Sequence, residues 1–412
     1  MGSSSNDFEV IVVGAGIMGS ATAYQAAKRG YKTLLLEQFD FLHHRGSSHG
    51  ESRTIRATYP EDYYTAMALE AYSLWEQAEA EIGYKVYFRT HQFDMGPTNS
   101  RSLKALVASC RKISVPHRVL NSSAVAREFT GKVQIPEGWV GVCTDRGGIL
   151  KPTKAVSMFQ TLALRNGAVL RDNAEVKGIE RGEDGGVVVF AGNGGVFRGR
   201  KCVVTVGAWT RKLIKTVSRF EIPVQPLETN VFYWRIKAGH EADYSYGGDF
   251  PTFASYGNPY IYGTPSFEFP GLIKVAVHGG YTCDPDKRPW GPGMSMSELR
   301  KWIDGRFSGR VESDGPVATQ MCMYSMTPDE DFVLDFLGGK FGKDVVVGAG
   351  FSGHGFKMGP VVGRILADMV ISGEAKGVDL KPFRIARFVE NPKGNVKDHE
   401  DQVNLFHQTP KL

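Results

Sequence analysis

Cysteine is scarce in this chain, long apolar runs are missing, and no block of single-sign charge occurs; each shortage removes a class of protein. The 412 residues hold five cysteines, Cys110, Cys143, Cys202, Cys283 and Cys322, an odd number at wide spacings with no C-x-x-C pair. That pattern excludes a disulfide scaffold and implies a reducing compartment; four of the five read as buried apolar filler, and Cys322 is set apart below. No metal site is expected. No stretch reaches the roughly 18 apolar residues of a membrane span. The opening MGSSSND has no signal-peptide core and no Ser or Thr at its sixth position for myristoylation, and reads as a short disordered tail. The net charge of +5 is spread over 49 basic and 44 acidic residues, which gives nucleic acid no footprint. There is no internal repeat and no low-complexity linker. At the other terminus, Pro410-Lys411-Leu412 is a variant of the Ser-Lys-Leu address read by the peroxisomal import receptor, so the expected location is the peroxisome and otherwise the cytoplasm.

Glycine, by contrast, is abundant, 49 residues in all, and two glycine turns stand at opposite ends of the chain. In the first, FEVIVV runs into Gly14-Ala15-Gly16-Ile17-Met18-Gly19 and then a helical pattern. Gly14 permits the tight turn, Gly16 lets backbone N–H groups approach a pyrophosphate at the helix N-terminus, and Gly19 brings helix and strand together. A second apolar strand, Tyr31 to Leu36, ends in Glu37, about 20 residues beyond the turn, where a carboxylate receives a ribose hydroxyl pair. An acid there suits NAD or FAD and disfavours a 2′-phosphate. In the second unit, DVVV from Asp344 runs into Gly348-Ala349-Gly350-Phe351-Ser352-Gly353-His354-Gly355 and another helix. An NAD enzyme has no need of a C-terminal strand and turn, whereas a large flavin is touched by distant segments. Backbone N–H groups of this turn would face the flavin's N1/O2 edge and stabilise the negative charge that reduction places there. The rival reading is an ordinary strand-to-helix turn.

Between these units the periodicity alternates. Glu61 to Ile82 carries Tyr64, Ala68, Ala71, Trp75, Ala78 and Ile82, the apolar stripe of an amphipathic helix. Lys154 to Arg165 reads as another helix, followed by short strands near Val169, Val176 and Val187 to Phe190, and a buried strand from Lys201 to Val206 ending at Gly207-Ala208-Trp209. Thr229 to Ile236 and Leu272 to His278 suggest an antiparallel sheet assigned to the substrate. The fold class is therefore α/β with an α+β second domain: a Rossmann-like FAD-binding domain (residues 1–90, 148–218 and 316–395) and an antiparallel-sheet substrate domain (91–147 and 219–315), both discontinuous, with a tail at 396–412.

Taken in order, the blocks VIVVGAGIMGSATAYQAAKRG, KTLLLEQFD, GSSHGESRTIR, CMYSMTPDEDFVLDF and VVVGAGFSGHGFKMGPVVGRIL resemble the monomeric sarcosine oxidase and pipecolate oxidase group of flavin amine oxidases, over nearly the whole chain. The resemblance implies FAD, bound by Gly14, Gly16, Met18, Gly19, Glu37, Arg45, Ser48, His49, Gly350, Phe351, Gly353, His354, Gly355 and Lys357, with a thioether from Cys322 to the flavin 8α-methyl. It further implies His49 and Arg53 close to the flavin, Arg56 and Lys357 on the substrate carboxylate, Lys274 beneath the ring activating oxygen, and Tyr262 and His278 in the active site. Monomer is the state it implies. The block GSSHG has Ser48 where the group carries the first of two histidines, which leaves His49.

Chemistry accounts for these assignments. A zwitterionic amino acid gripped by its carboxylate points its amine at the flavin; a guanidinium does this with two parallel bonds and an ammonium adds a point charge. By themselves, Arg53 and Arg56 read as surface residues with solvated heads, and His278 as a core histidine. Lys274 lies in an apolar strand, where a cation needs a partner or a function; near the reduced ring it would stabilise developing superoxide. The expected reaction takes a neutral secondary amine such as sarcosine or L-pipecolate, passes a hydride equivalent to flavin N5, and leaves an imine for hydrolysis while O2 becomes H2O2. Phe253, Tyr256, Tyr260 and Tyr262 crowd one segment, and Phe253 stands where bacterial sarcosine enzymes commonly have methionine, a change that favours a ring over a methyl group. The alternatives are an oxidase of larger alkaloid-like amines with an idle carboxylate clamp, a flavin-binding protein without turnover, and an NAD-dependent dehydrogenase without flavin absorbance.

Overall fold

The computed structural model describes residues 8–397 and 399, apart from residues 184, 219 and 289–295. The 1–7 stretch and Pro410-Lys411-Leu412 lie outside the described residues. Two sheets organise the chain.

In the first, eight-stranded sheet, Phe8–Val13 is flanked on both sides by parallel partners, Thr33–Leu36 and Val196–Val204, and the sheet extends to Val169–Arg171 on one side and Val345–Ala349 on the other. An antiparallel strand, Val333–Phe336, closes that edge. These strands are apolar at consecutive positions because both faces are covered. Val10 and Val12 point to the layer formed by helices Ile17–Lys28, Asp62–Ile82, Pro152–Arg165 and Gly359–Ser372. Ile11 and Val13 point the other way, to the Val176–Arg181 and Val187–Ala191 strands and the Thr210–Val217 helix. Gly14, with φ +96°, turns the chain where a Cβ would lie 2.5 Å from the Thr205 carbonyl oxygen. At Gly19 a Cβ would lie 1.8 Å from the Gly14 carbonyl oxygen, so only glycine lets the helix sit this close to its own turn.

The second sheet has ten strands and is antiparallel except where Thr252–Ser255 runs parallel to Tyr87–Pro97. One face is packed by Phe93, Phe232, Trp234, Phe253, Ile273 and Val275 under the Ser297–Arg306 helix. Alternation along Leu272–Val277 therefore sends Ile273 and Val275 into that core and Lys274 to the opposite face, between Tyr233 and Thr264 in register.

Sheet membership departs from the expected division in two places. Arg53–Arg56 pairs with residues 147–150, and Ala318–Met326 pairs along its whole length with Gln225–Arg235, so both belong to the second sheet although the sequence reading put them with the nucleotide-binding unit. Their pairing partners are far away in the chain, and no local pattern marks the crossing. Cys110, Cys143 and Cys202 are buried as filler, whereas Cys283 is only half-buried. None of the described helices is long and apolar enough to cross a membrane.

Candidate active site: two cavities that meet at Cys322

A cavity of ≈ 440 Å³ opens along the carboxyl ends of the first sheet, lined by Gly14, Gly16, Met18, Glu37, Ser48, Cys322, Phe351, Gly353 and Gly355 among others. Its chemistry is that of a dinucleotide cradle. Glu37 is buried, with one carboxylate oxygen accepting from the Ala15 amide at 2.8 Å and the other from the Phe39 amide at 3.2 Å, and it forms part of the wall where a ribose would be read. The Ile17 amide at the helix N-terminus donates to Ser48 Oγ at 3.0 Å, so a hydroxyl stands where a pyrophosphate oxygen would be received. Gly19 and Gly350 are not on the wall but close the two turns behind it; at Gly350, φ +61°, a Cβ would strike Thr327 at 2.3 Å. These features fit FAD: two glycine turns, an acid at the end of the second strand, and a wall that reaches both.

A smaller cavity of ≈ 140 Å³ lies under the second sheet, and Arg53, Cys322, Tyr324, Gly353 and Phe356 line both. Gly353 is required there, since a Cβ would come within 2.8 Å of the Tyr324 ring and 2.9 Å of the His278 ring. Cys322 receives Arg53 Nη2 at 3.4 Å, and the same guanidinium holds the carbonyls of Ser47, His49 and Ser52.

In the smaller cavity, Arg56 points at Tyr256 and Tyr260, whose hydroxyls lie 3.0 and 3.2 Å from its nitrogens. It also faces the buried Asp94 at 3.6 Å, a carboxylate held by Thr58 at 2.6 Å and Gln92 at 3.0 Å. Burial pushes the Asp94 carboxyl up, against the opposing pull of Arg56. Lys357 is buried too, but its Nζ donates to the His354 carbonyl at 3.0 Å and no carboxylate among the described residues lies within ion-pair distance. Burial, then the charges of Arg56 and Arg53, hold Lys357 well below the usual ammonium range. The pocket floor thus carries two buried basic side chains, of which Arg56 faces a carboxylate and Lys357, among the described residues, does not.

Lys274, 2% exposed, donates to both the carbonyl and the hydroxyl of Ser52 at 2.9 Å, and burial brings it down to about 8. Tyr262 and Tyr324 face each other with hydroxyls 3.3 Å apart. His278 packs against both Tyr260 and Tyr324 and has Nε2 3.7 Å from Glu330. His354 meets the Tyr59 hydroxyl at 3.5 Å and the Glu330 carbonyl at 3.0 Å, and burial, with the Lys357 charge, keeps it well below the usual imidazole range. Tyr256, Tyr260 and Tyr262 contribute to the wall, whereas Phe253 borders it with its ring stacked on Trp302 in the core on the sheet's other face.

Two expected positions stand elsewhere. Arg45 is exposed, with its guanidinium 4.8 Å over the Phe39 ring, and lines neither cavity. His49 is buried behind the wall; its Nδ1 has no hydrogen-bond partner among the described residues, and burial and the Arg53 charge bring it down to about 3. Sequence reasoning passes over Ser52, Asp94, Tyr59, Tyr324 and Glu330, and reads Tyr64 only as part of a helix's apolar stripe, although it lines the smaller cavity. Only Tyr324 had a signal, its place two residues after Cys322.

A glycine-cradled nucleotide cavity that opens onto a second, buried pocket is the arrangement of a flavin-dependent oxidoreductase. Residues 9–369 match the family described as FAD dependent oxidoreductase, and the chain belongs to that family. It is an FAD-dependent amine oxidase. It is 66% identical over 407 residues to a probable sarcosine oxidase of Arabidopsis thaliana, covering 98% of both chains, and 36% identical to the peroxisomal sarcosine oxidase of Homo sapiens, covering 94% of this chain and 98% of that one. Its fold is that of NikD, an unusual amino acid oxidase essential for nikkomycin biosynthesis, with TM-score 0.77, 24% identity, and coverage of 92% and 98%.

Proposed function

We propose that this enzyme oxidises small secondary amino acids, N-methylated or cyclic, of which sarcosine and L-pipecolate are the type compounds, with O2 as electron acceptor. The observation that carries the reading is Lys357: a buried lysine with no carboxylate within ion-pair distance among the described residues, beside Arg56, in a cavity that meets the nucleotide cavity at Cys322. A substrate carboxylate supplies the missing anion.

FAD, held by the walls around Gly14, Glu37 and Gly353, supplies the two-electron acceptor that the side chains lack. The residues of the chain do the rest. Arg56 and Lys357 bind and orient the carboxylate, and their positive field, with that of Arg53, lowers the affinity of the substrate nitrogen for its proton, so the amine is held neutral with its lone pair available. The aromatic walls from Tyr59 to Tyr324 exclude water from the C–H bond next to nitrogen. The amine loses two electrons with its C–H proton and then the N–H proton and leaves as an imine, which water hydrolyses, and O2 takes the two electrons and two protons to become H2O2. Lys274, anchored on Ser52, keeps a cation available for the anionic oxygen species below about pH 8.

The finer assignments belong to the same proposal. Cys322 forms the thioether to the flavin, the enzyme works as a monomer, and the import receptor reads Pro410-Lys411-Leu412, placing the H2O2 in peroxisomes. Division by sheets is also proposed: the first sheet with its helices forms the FAD domain and the second the substrate domain. The larger-amine alternative is not favoured, since the cavity of ≈ 140 Å³ is small and its floor is cationic. The test is H2O2 release with sarcosine, L-pipecolate and sarcosine methyl ester. Turnover of the acids with kcat/KM at least about tenfold below them for the ester is expected; equal turnover of the ester overturns the carboxylate clamp.

A further inference from the structure

Residues 391–397 and 399, after the Arg387–Glu390 helix, pack against the molecule. Lys397 and His399 reach the small cavity, and the segment is fixed by Asp329, Asp331 and Glu61. Arg387 forks onto the buried Asp329 at 2.7 and 3.1 Å. Gly394 lies so close to that carboxylate that a Cβ would be 2.1 Å from Asp329 Oδ2, and the Asn395 amide donates to the same oxygen at 2.8 Å. The Asn395 side chain donates to Asp331 at 2.8 Å. Lys397 then bridges Glu61 at 2.7 Å and Asp331 at 3.1 Å, joining the loop before the Asp62–Ile82 helix to the loop after Ala318–Met326. Ser102 donates to the His399 carbonyl at 2.6 Å. Lys397 and His399 both form part of the cavity wall.

We propose that this strap is the specificity wall of the substrate cavity, and that the Lys397 side chain sets the largest group an amino-acid substrate can carry beyond its amine. The proposal rests on the reading above, in which Arg56 and Lys357 hold the carboxylate and so fix which end of the substrate meets the strap. Lys397 differs in kind from Lys357: two carboxylates already compensate its charge, so what it offers the cavity is a fixed volume rather than a free cation. Burial favours the neutral Glu61 carboxyl, but the Lys397 charge outweighs it and holds that group well below the usual carboxylate range, which keeps the bridge ionised and the wall in place.

The holoenzyme and its Lys397→Ala, Lys397→Arg and Val396→Ala variants test this, Val396 being 82% exposed beside Lys397. In Lys397→Ala, the ratio of kcat/KM for N-methyl-L-tryptophan over sarcosine should rise by about tenfold or more, the scale of a few apolar groups fitted or refused by a pocket. Lys397→Arg and Val396→Ala should leave the ratio unchanged, which a general loosening of the fold would not. Binding of acetate and indole-3-acetate, read from the flavin absorbance, follows the same wall without turnover: indole-3-acetate should bind to Lys397→Ala and not to the parent. If the parent oxidises neither amine but this difference appears, the wall stands and the substrate reading falls. Should Lys397→Ala not fold, Asn395→Ala loosens the strap with Lys397 intact and should raise the same ratio. A ratio and a binding preference unchanged in folded variants overturn the proposal.

Discussion

Lys274→Met gives a pH-dependent stability difference whose size follows from burial. The ammonium is 2% exposed, has Ser52 as hydrogen-bond partner, and is brought from an ordinary value near 10.5 down to about 8 by burial. At about 1.4 kcal/mol per pH unit, that displacement corresponds to about 3 kcal/mol of unfavourable charge in the folded state. The sign follows from proton counting. Below pH 8 both folded and unfolded chains carry the proton and the whole penalty is present; between about 8 and 10.5 the unfolded chain keeps a proton that the folded chain has lost, so stability rises with pH. Methionine has no such proton. Urea unfolding of both proteins from pH 7 to pH 10.5 isolates this residue, because buried thiols and phenols contribute equally to both curves and cancel in the difference. The parent should gain about 3 kcal/mol relative to Lys274→Met across that range. A constant difference would show that Lys274 keeps an ordinary ammonium pKa in the folded protein, and a gain well above about 3 kcal/mol that already begins at pH 7 would show it neutral there and remove it as the cation for oxygen.

Lys357→Met should raise KM for sarcosine by about tenfold or more without lowering stability at neutral pH, because burial and the charges of Arg56 and Arg53 already oppose the ammonium and no carboxylate is abandoned; steady-state kinetics alongside urea unfolding read both effects, and an unchanged KM removes Lys357 from the clamp. Cys322→Ser should release its yellow cofactor into the supernatant on acid precipitation, whereas the parent should keep it in the pellet; colour lost from both refutes the thioether. Arg387→Met strands the buried Asp329 carboxylate and should lower stability by about 3–5 kcal/mol, seen as a shift in the urea midpoint; a loss below about 1 kcal/mol would mean that water reaches the carboxylate.

Local chemistry made the nucleotide half readable. Gly14, Gly16, Gly19 and Glu37 lie within one strand–turn–helix–strand unit, so their spacing carries their geometry, and the consecutive apolar residues of Phe8–Val13 already announce a strand covered on both faces. The pocket was less legible, because its key pairings cross the chain. Lys274 is anchored by Ser52, 222 positions away, and Arg56 meets Asp94 on a neighbouring stretch of sheet where nothing in the local pattern distinguishes that aspartate from a surface one. Arg53 and Arg56 by themselves suggest solvated heads; the short strand Arg53–Arg56 instead pairs at the edge of the second sheet and carries both into the cavity wall. Residues 396–412 read as a C-terminal tail carrying the targeting tripeptide, yet Lys397 is held by Glu61 and Asp331, contacts that no periodicity encodes.

One measurement bears most directly on the central claim, that a flavin cavity meets a clamp for an amino-acid carboxylate. Sarcosine added without oxygen to the purified yellow protein should bleach its flavin absorbance, and readmitted air should restore the colour with one H2O2 formed per flavin. A protein that is colourless after reconstitution with FAD, or whose colour sarcosine and L-pipecolate leave untouched, contradicts it.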